Sequence, residues 1–242
     1  ADTATTAAQQ QATAQAAVTA SDAEMMAIDS VGTETETQEN QEIIDSLNDF
    51  NSYSNSDVSM YNSFITERNI ENVTDLRNLY DQSLAALTFL QNGDTNSALK
   101  VLSAINISNL NKSNFESIKS TGEIIWVGMA ALQYKAVTGS TQFDSLISKV
   151  DMYLASVESE EGYFYGTDTD KWVSTEHTLD AISYYSMKYQ LNPSDMEAKA
   201  KIESLANFLY SDLYDSNTGM FKRGLNDRKM ALDTITWGVQ VL

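Results

Sequence analysis

The chain has no cysteine, one histidine and one proline in 242 residues. Without cysteine there is no disulfide, no thiolate metal ligand and no thiol nucleophile. A single histidine, His177, excludes the multi-histidine sets that hold catalytic zinc. Basic residues are scarce as well: 15 Lys and Arg stand against 34 Asp and Glu, a formal charge of −19 and a pI of about 4.2. Such a field repels nucleic acid and anionic lipid surfaces, so neither is an expected partner. No apolar run approaches the roughly 20 residues that span a bilayer. Glycine-rich phosphate loops and a G-x-S-x-G elbow are also missing.

What the chain does hold is enough apolar residue, 42%, for a sizeable core. Its first ten residues, "ADTATTAAQQ", read as the mature end left by cleavage after small residues, so a secreted or extracellular location is expected. Residues 1–35 form a low-complexity Ala/Thr/Gln-rich arm that cannot bury a core of its own. A helical lead-in over 36–73 follows, and a main domain over 74–242.

Within that domain two kinds of helix alternate. The stretch 123–137, "EIIWVGMAALQYKAV", is apolar around nearly its whole circumference, with Gly128 allowing close approach of a neighbour. It predicts a core helix. The stretch 141–157 places Phe143, Leu146, Val150, Leu154 and Val157 on one side only, which predicts a surface helix. The order then repeats. A helix over 174–190 precedes an amphipathic one over 193–213, whose inward residues read as Met196, Ala200, Leu205, Phe208, Leu209 and Leu213. Apolar 231–242 comes last. Pro193 and Gly139 supply start and stop signals. Asp81, Glu123, Glu176 and Asp233 each sit near the start of a core-type helix at loosely even spacing. Helical hairpins that repeat in this way predict an all-α architecture of α/α hairpin repeats, with the acids facing one mouth.

The words "YDQSLAALTFLQNGD", "GEIIWVGMAALQYKAVTG", "WVSTEHTLDAISYY" and "GLNDRKMALDTITWGV" resemble α/α-toroid proteins of the six-hairpin glycosidase type. They span roughly 75–242. The resemblance implies a complete or partial toroid whose inner-helix ends line a funnel for a glycan, with carboxylates as general acid and base. A closed ring of six hairpins holds about twelve helices; seven strong ones are legible here, with two or three weaker N-terminal candidates, so the chain is expected to cover part of a toroid. As a glycoside hydrolase it would use Glu176 or Glu123 as acid and Asp81 or Asp233 as base.

On a wheel of roughly 100° per residue, Glu176, His177, Asp180 and Tyr184 share one arc, opposite Leu179, Ile182, Tyr185 and Tyr189. One reading makes Ser174 or Thr175 an N-cap, Glu176 a complement to the helix N-terminus and His177 exposed or hydrogen-bonded. The other makes His177, Asp180 and Tyr184 sugar contacts at the floor of a site. Trp172, in a loop beside the cluster, suits a sugar platform; Trp126 and Trp237 suit either core packing or stacking. Arg223 and Arg228 would clamp an acidic sugar or balance the acids by ion pairs. Asp168 with Asp170, and Asp215 with Asn217 before Gly219, read as turns or as weak Ca²⁺ loops. Two further readings stay open. One is a non-enzymatic structural or filament-forming subunit, oligomeric through its N-terminal arm and completed by a neighbouring chain. The other, resting on "EGYFYG" and the Asp-rich loop alone, is a terpenoid-cyclase-type toroid.

Overall fold

A computed structural model describes residues 78–107, 120–227 and 229–241. The arm over 1–35 and the lead-in over 36–73 lie outside the described residues, as does Arg228. The described residues form seven α-helices and one two-stranded hairpin: α1 Leu79–Gln91, α2 Thr95–Ile107, α3 Thr121–Thr138, α4 Asp144–Val157, α5 Thr175–Leu191, α6 Met196–Phe208, β1 Tyr214–Asp215, β2 Met220–Phe221 and α7 Leu232–Val241.

Consecutive odd-numbered helices pack on one another, α1 on α3, α3 on α5 and α5 on α7. The even-numbered helices cover them hairpin by hairpin, α2 on α1, α4 on α3 and α6 on α5. The inner helices therefore run in one direction and begin at one rim. Composition explains the two layers. α3 buries Ile124, Ile125, Val127, Met129, Ala130, Ala131 and Leu132, residues that point all round its axis, and only its last turn is exposed, at Ala136, Val137 and Thr138. α4 buries only Leu146, Ile147, Val150, Leu154 and Val157, the one-sided stripe that its spacing predicts. Gly128 does allow the expected approach: a Cβ there would lie 2.5 Å from Tyr184 Cε2. Gly139 ends α3 in the left-handed region at φ 69°, its N–H on the Lys135 carbonyl at 2.8 Å.

Two expectations need correction. α6 starts at an Asp195 cap, whose side chain accepts from the Ala198 N–H at 2.9 Å, with Pro193 in the turn before it. Its buried stripe is therefore Ala198, Ile202, Leu205, Leu209 and Leu213, while Met196 and Ala200 face solvent. A π-helical turn over Leu209–Leu213 keeps its last two leucines inward. On α5 the two wheel arcs are not a wet and a dry face. His177, Asp180 and Tyr184 are buried, and so are Leu179, Ile182 and Tyr185, because α5 is enclosed by α3, α6 and α7.

The starts of α3 and α5 are held by one device. Thr121 donates its N–H to the Gly166 carbonyl at 2.9 Å and its hydroxyl to Tyr165 at 2.6 Å. Thr175 does the same to Arg223 at 3.0 Å and Lys222 at 2.6 Å. In each case the loop after the following outer helix clamps the inner-helix N-terminus, satisfying a donor that the helix itself leaves orphaned. This fixes the height of the rim.

Candidate functional site

The rim gathers acids from all four inner helices. α1 brings Asp81, α3 Glu123, α5 Glu176 and Asp180, and α7 Asp233. Their mutual influence follows from their titration. Burial raises Glu123 above the ordinary carboxylate range, with Asp81 adding to the rise. Burial likewise raises Glu176, helped by Asp233. Asp180, only 1% exposed, is pushed well above that range by burial and then by Glu176. Each effect has the expected sign for like charges sharing a poorly solvated space.

An aromatic wall stands with them. Trp126 of α3 and Trp237 of α7 stack at 5.5 Å and 29°, and Tyr80 of α1 meets Trp126 edge-on at 5.1 Å and 74°. The two indoles come from helices on either side of α5 and meet over its Asp180 face, so they are packing and lining at once. Their N–H groups approach the Asp180 carboxyl and partly oppose its rise. For Trp237 that approach stops short of a bond, since its Nε1 and Asp180 Oδ1 each lack a hydrogen-bond partner, as does His177 Nδ1. Tyr80 lies in the same field: burial, then Asp180, Glu176 and Asp81, raise its hydroxyl.

His177 is capped into place rather than exposed. Its backbone N–H donates to Ser174 Oγ at 3.4 Å, the N-cap contact. Its ring is buried, and burial lowers its pKa to about 4, so it is neutral at pH 7. Gly122 makes room for it: a Cβ at Gly122 would sit 2.7 Å from His177 Cδ2, 2.9 Å from Nε2 and 3.4 Å from Asp180 Oδ2. The Trp172 ring tilts against His177 at 5.6 Å and remains 46% exposed, packed over Gly166, where a Cβ would lie 2.3 Å from Trp172 Nε1.

Two predicted contacts belong elsewhere. Tyr184 lies two helical turns beyond Glu176, roughly 12 Å along the axis, and its hydroxyl donates to Asp151 Oδ1 at 2.8 Å. Lys188 closes that group with 2.9 Å bonds to both Asp151 oxygens, a packing role at the far end of α5. Arg223 is paired with Asp227, its Nε 2.8 Å from Oδ2. Its contribution to the rim is its carbonyl, which clamps Thr175. Asp215 caps the β1–β2 turn, its Oδ1 accepting from the Asn217 N–H at 2.9 Å and its carbonyl from the Gly219 N–H at 2.8 Å. Asp170 Oδ1 accepts from the Trp172 N–H at 3.3 Å in a second turn. Among the described residues no three acidic or histidine side chains are grouped to hold a metal ion.

Structurally similar proteins share this architecture. An inactive variant of the α-1,6-mannanase GH76A of Salegentibacter sp. HEL1_6, in complex with α-1,6-mannotetraose, superposes with a TM-score of 0.65 at 14% identity, over 85% of this chain and 62% of the mannanase. D-mannose isomerase gives 0.65 at 12% identity over 94% and 68%. A family 76 glycoside hydrolase of Bacteroides thetaiotaomicron VPI-5482 gives 0.56 at 11%, over 70% and 52%. The fold is that of the α/α-toroid enzymes. This chain spans about half of a further mannanase structure it matches, 54%, which agrees with an arc of hairpins rather than a closed ring. No protein-family model matches the chain, and no curated protein sequence is similar to it.

Sequence reasoning missed Tyr80, Gly122 and Gly166. Tyr80 adjoins Asp81 at a helix start, an aromatic placed one position before an acid; that was the available signal. The glycines act only through what approaches them, which one sequence does not reveal.

Proposed function

We propose that this toroid arc recognises a glycan at its acidic rim and hydrolyses it with paired carboxylates. One observation carries the reading: Asp180, buried and with its Oδ1 unpartnered, lies beneath a stacked Trp126–Trp237 wall, between acids supplied by four helices. Sugar rings offer apolar faces to indoles and hydroxyls to such orphaned acceptors. The neighbours named for mannan and mannose chemistry support a carbohydrate at this rim without identifying it.

In hydrolysis Glu176, whose raised pKa keeps a proton available, gives it to the glycosidic oxygen as the C–O bond breaks. Asp233 acts either as base on the water that attacks the anomeric carbon or as the nucleophile that bonds that carbon itself before water releases the sugar. Glu123 with Asp81 forms a second pair on the opposite side of α5 and binds the next ring. Trp172 extends the platform beside His177. A secreted or extracellular location fits a glycan substrate, and among the described residues no helix is long and apolar enough to cross a membrane.

Glu176→Gln and Glu123→Gln are the test, assayed on a panel of mannans, glucans and their oligosaccharides. Turnover by the wild type, lost by at least about 10²-fold in Glu176→Gln, supports the reading; a wild type inactive on the whole panel overturns hydrolysis.

A second reading has its own observation. On α7, Leu232 and Val239 are 76% and 79% exposed, an apolar face with no helix over it among the described residues. We propose that more chain or a neighbouring subunit covers it; in the latter case the protein is a structural or filament-forming subunit. Light scattering against concentration, with and without residues 1–35, separates the two. Growth of the particle supports assembly through the arm, and a monomer in both forms excludes it.

A further inference from the structure

Among the described residues no salt bridge joins a cation to the rim carboxylates: the salt bridges join Lys135 to Asp144, Lys188 to Asp151, Lys201 to Glu158 and Arg223 to Asp227, none of them at the rim. The charged neighbours acting on Glu123, Glu176 and Asp180 are in every case other acids. The rest of the chain adds to the same field, with a formal charge of −19.

An acidic cluster is common on a protein of this charge; what sets this one apart lies inside it. Asp180 is 1% exposed, and its Oδ1 has no hydrogen-bond donor. A buried carboxyl oxygen left in that state is unfavourable until a donor reaches it. Above it stand the faces of Trp126 and Trp237 with the edge of Tyr80, an arrangement that attracts a cation as well as a sugar ring. A primary ammonium group has three donors and one positive charge, which suits an orphaned acid, its acidic neighbours and the aromatic faces together.

We propose that the rim selects a glycan carrying a free amine, a hexosamine without its N-acetyl group, over neutral glycans, and rejects uronic ones. The proposal rests on the glycan reading above. The groups facing the ammonium are Tyr80 and Asp81 from α1, Glu123 from α3, Glu176 and Asp180 from α5, and Asp233 from α7. Neutral His177 stands beside them. Because the buried acids hold protons more tightly than usual, an arriving cation lowers their affinity for protons and releases protons to the buffer. A neutral sugar releases none by this route.

Calorimetry on the full chain at pH 5 in low salt, in two buffers of different ionisation enthalpy, reads both effects. The probes are a glucosamine trisaccharide, its fully N-acetylated counterpart, α-1,6-mannotetraose, a galacturonate trisaccharide and spermidine. The expected result is binding of the glucosamine probe about tenfold tighter than the N-acetylated one, the scale of one desolvated cation on an aromatic face. Proton release should accompany it, and both should diminish in Asp233→Asn and at high salt. Equal binding of amine and N-acetyl probes without proton release overturns the proposal and leaves the glycan reading standing. Spermidine matching the glucosamine probe keeps the cation preference and overturns the sugar. No binding by any probe overturns both.

Discussion

His177 is the only histidine, so its imidazole gives one set of resonances that needs no assignment. The residue is 8% exposed and its pKa falls from 6.5 to about 4 through burial. Above pH 6.5 the imidazole is neutral in folded and unfolded chains alike, and its burial stabilises fully. Between pH 6.5 and about 4 the unfolded chain binds a proton that the folded one refuses, so stability falls as the pH falls. At 1.36 kcal/mol per pH unit that window is worth about 3 kcal/mol for this group. The site depends on this number. Gly122 places His177 and Asp180 against the same few ångströms of backbone, so an ionised Asp180 would favour imidazolium and raise His177 instead. Following the imidazole Cε1–H shift from pH 8 to 3.5 should give a midpoint near 4. Urea unfolding over the same range should lose about 3 kcal/mol more in the wild type than in His177→Gln. A midpoint at or above 6.5 would refute burial as the force that sets the charge of the ring.

Other outcomes follow from close contacts. Gly122→Ala puts a methyl 2.7 Å from His177 Cδ2, so it should displace the ring, shift its titration towards 6.5 and weaken glycan binding, as NMR and calorimetry would report. Gly128→Ala meets the Tyr184 ring at 2.5 Å in a packed layer and should cost about 1–3 kcal/mol in chemical denaturation with the rim unchanged. Tyr184→Phe removes a hydrogen bond to Asp151, which Lys188 still holds; unfolding should show a loss of about 0.5–1.5 kcal/mol and no change in binding.

How much of this was legible is best seen residue by residue. The all-round burial of α3 and the one-sided stripe of α4 were readable because helical periodicity is a direct record of which sides meet water. Of the residues read as inward on the 193–213 stretch, Leu205, Leu209 and Leu213 are buried, whereas Met196 and Ala200 in the first turns face solvent, where the helix starts at the Asp195 cap rather than at Pro193. The repeat was seen through its acids, but on α3 and α5 its physical basis is the Ser-Thr pair at the helix start. Ser120 and Thr121 occupy the places that Ser174 and Thr175 occupy on α5, so Gly122 aligns with Glu176 and Glu123 with His177. The acids share a rim without sharing a register. Tyr184 was drawn into the site because a wheel discards height along the axis. Arg223 was drawn in by sequence proximity to Asp233, though its side chain pairs with Asp227.

All three tryptophans of the chain, Trp126, Trp172 and Trp237, stand at the rim or beside it, which makes intrinsic fluorescence a direct reporter of its occupation. Oligosaccharides, neutral and amine-bearing, should change the emission saturably. Trp126→Ala and Trp237→Ala should abolish the change, and Glu176→Gln should retain it while losing turnover. Emission that no oligosaccharide alters at millimolar concentration would contradict a glycan-recognising rim.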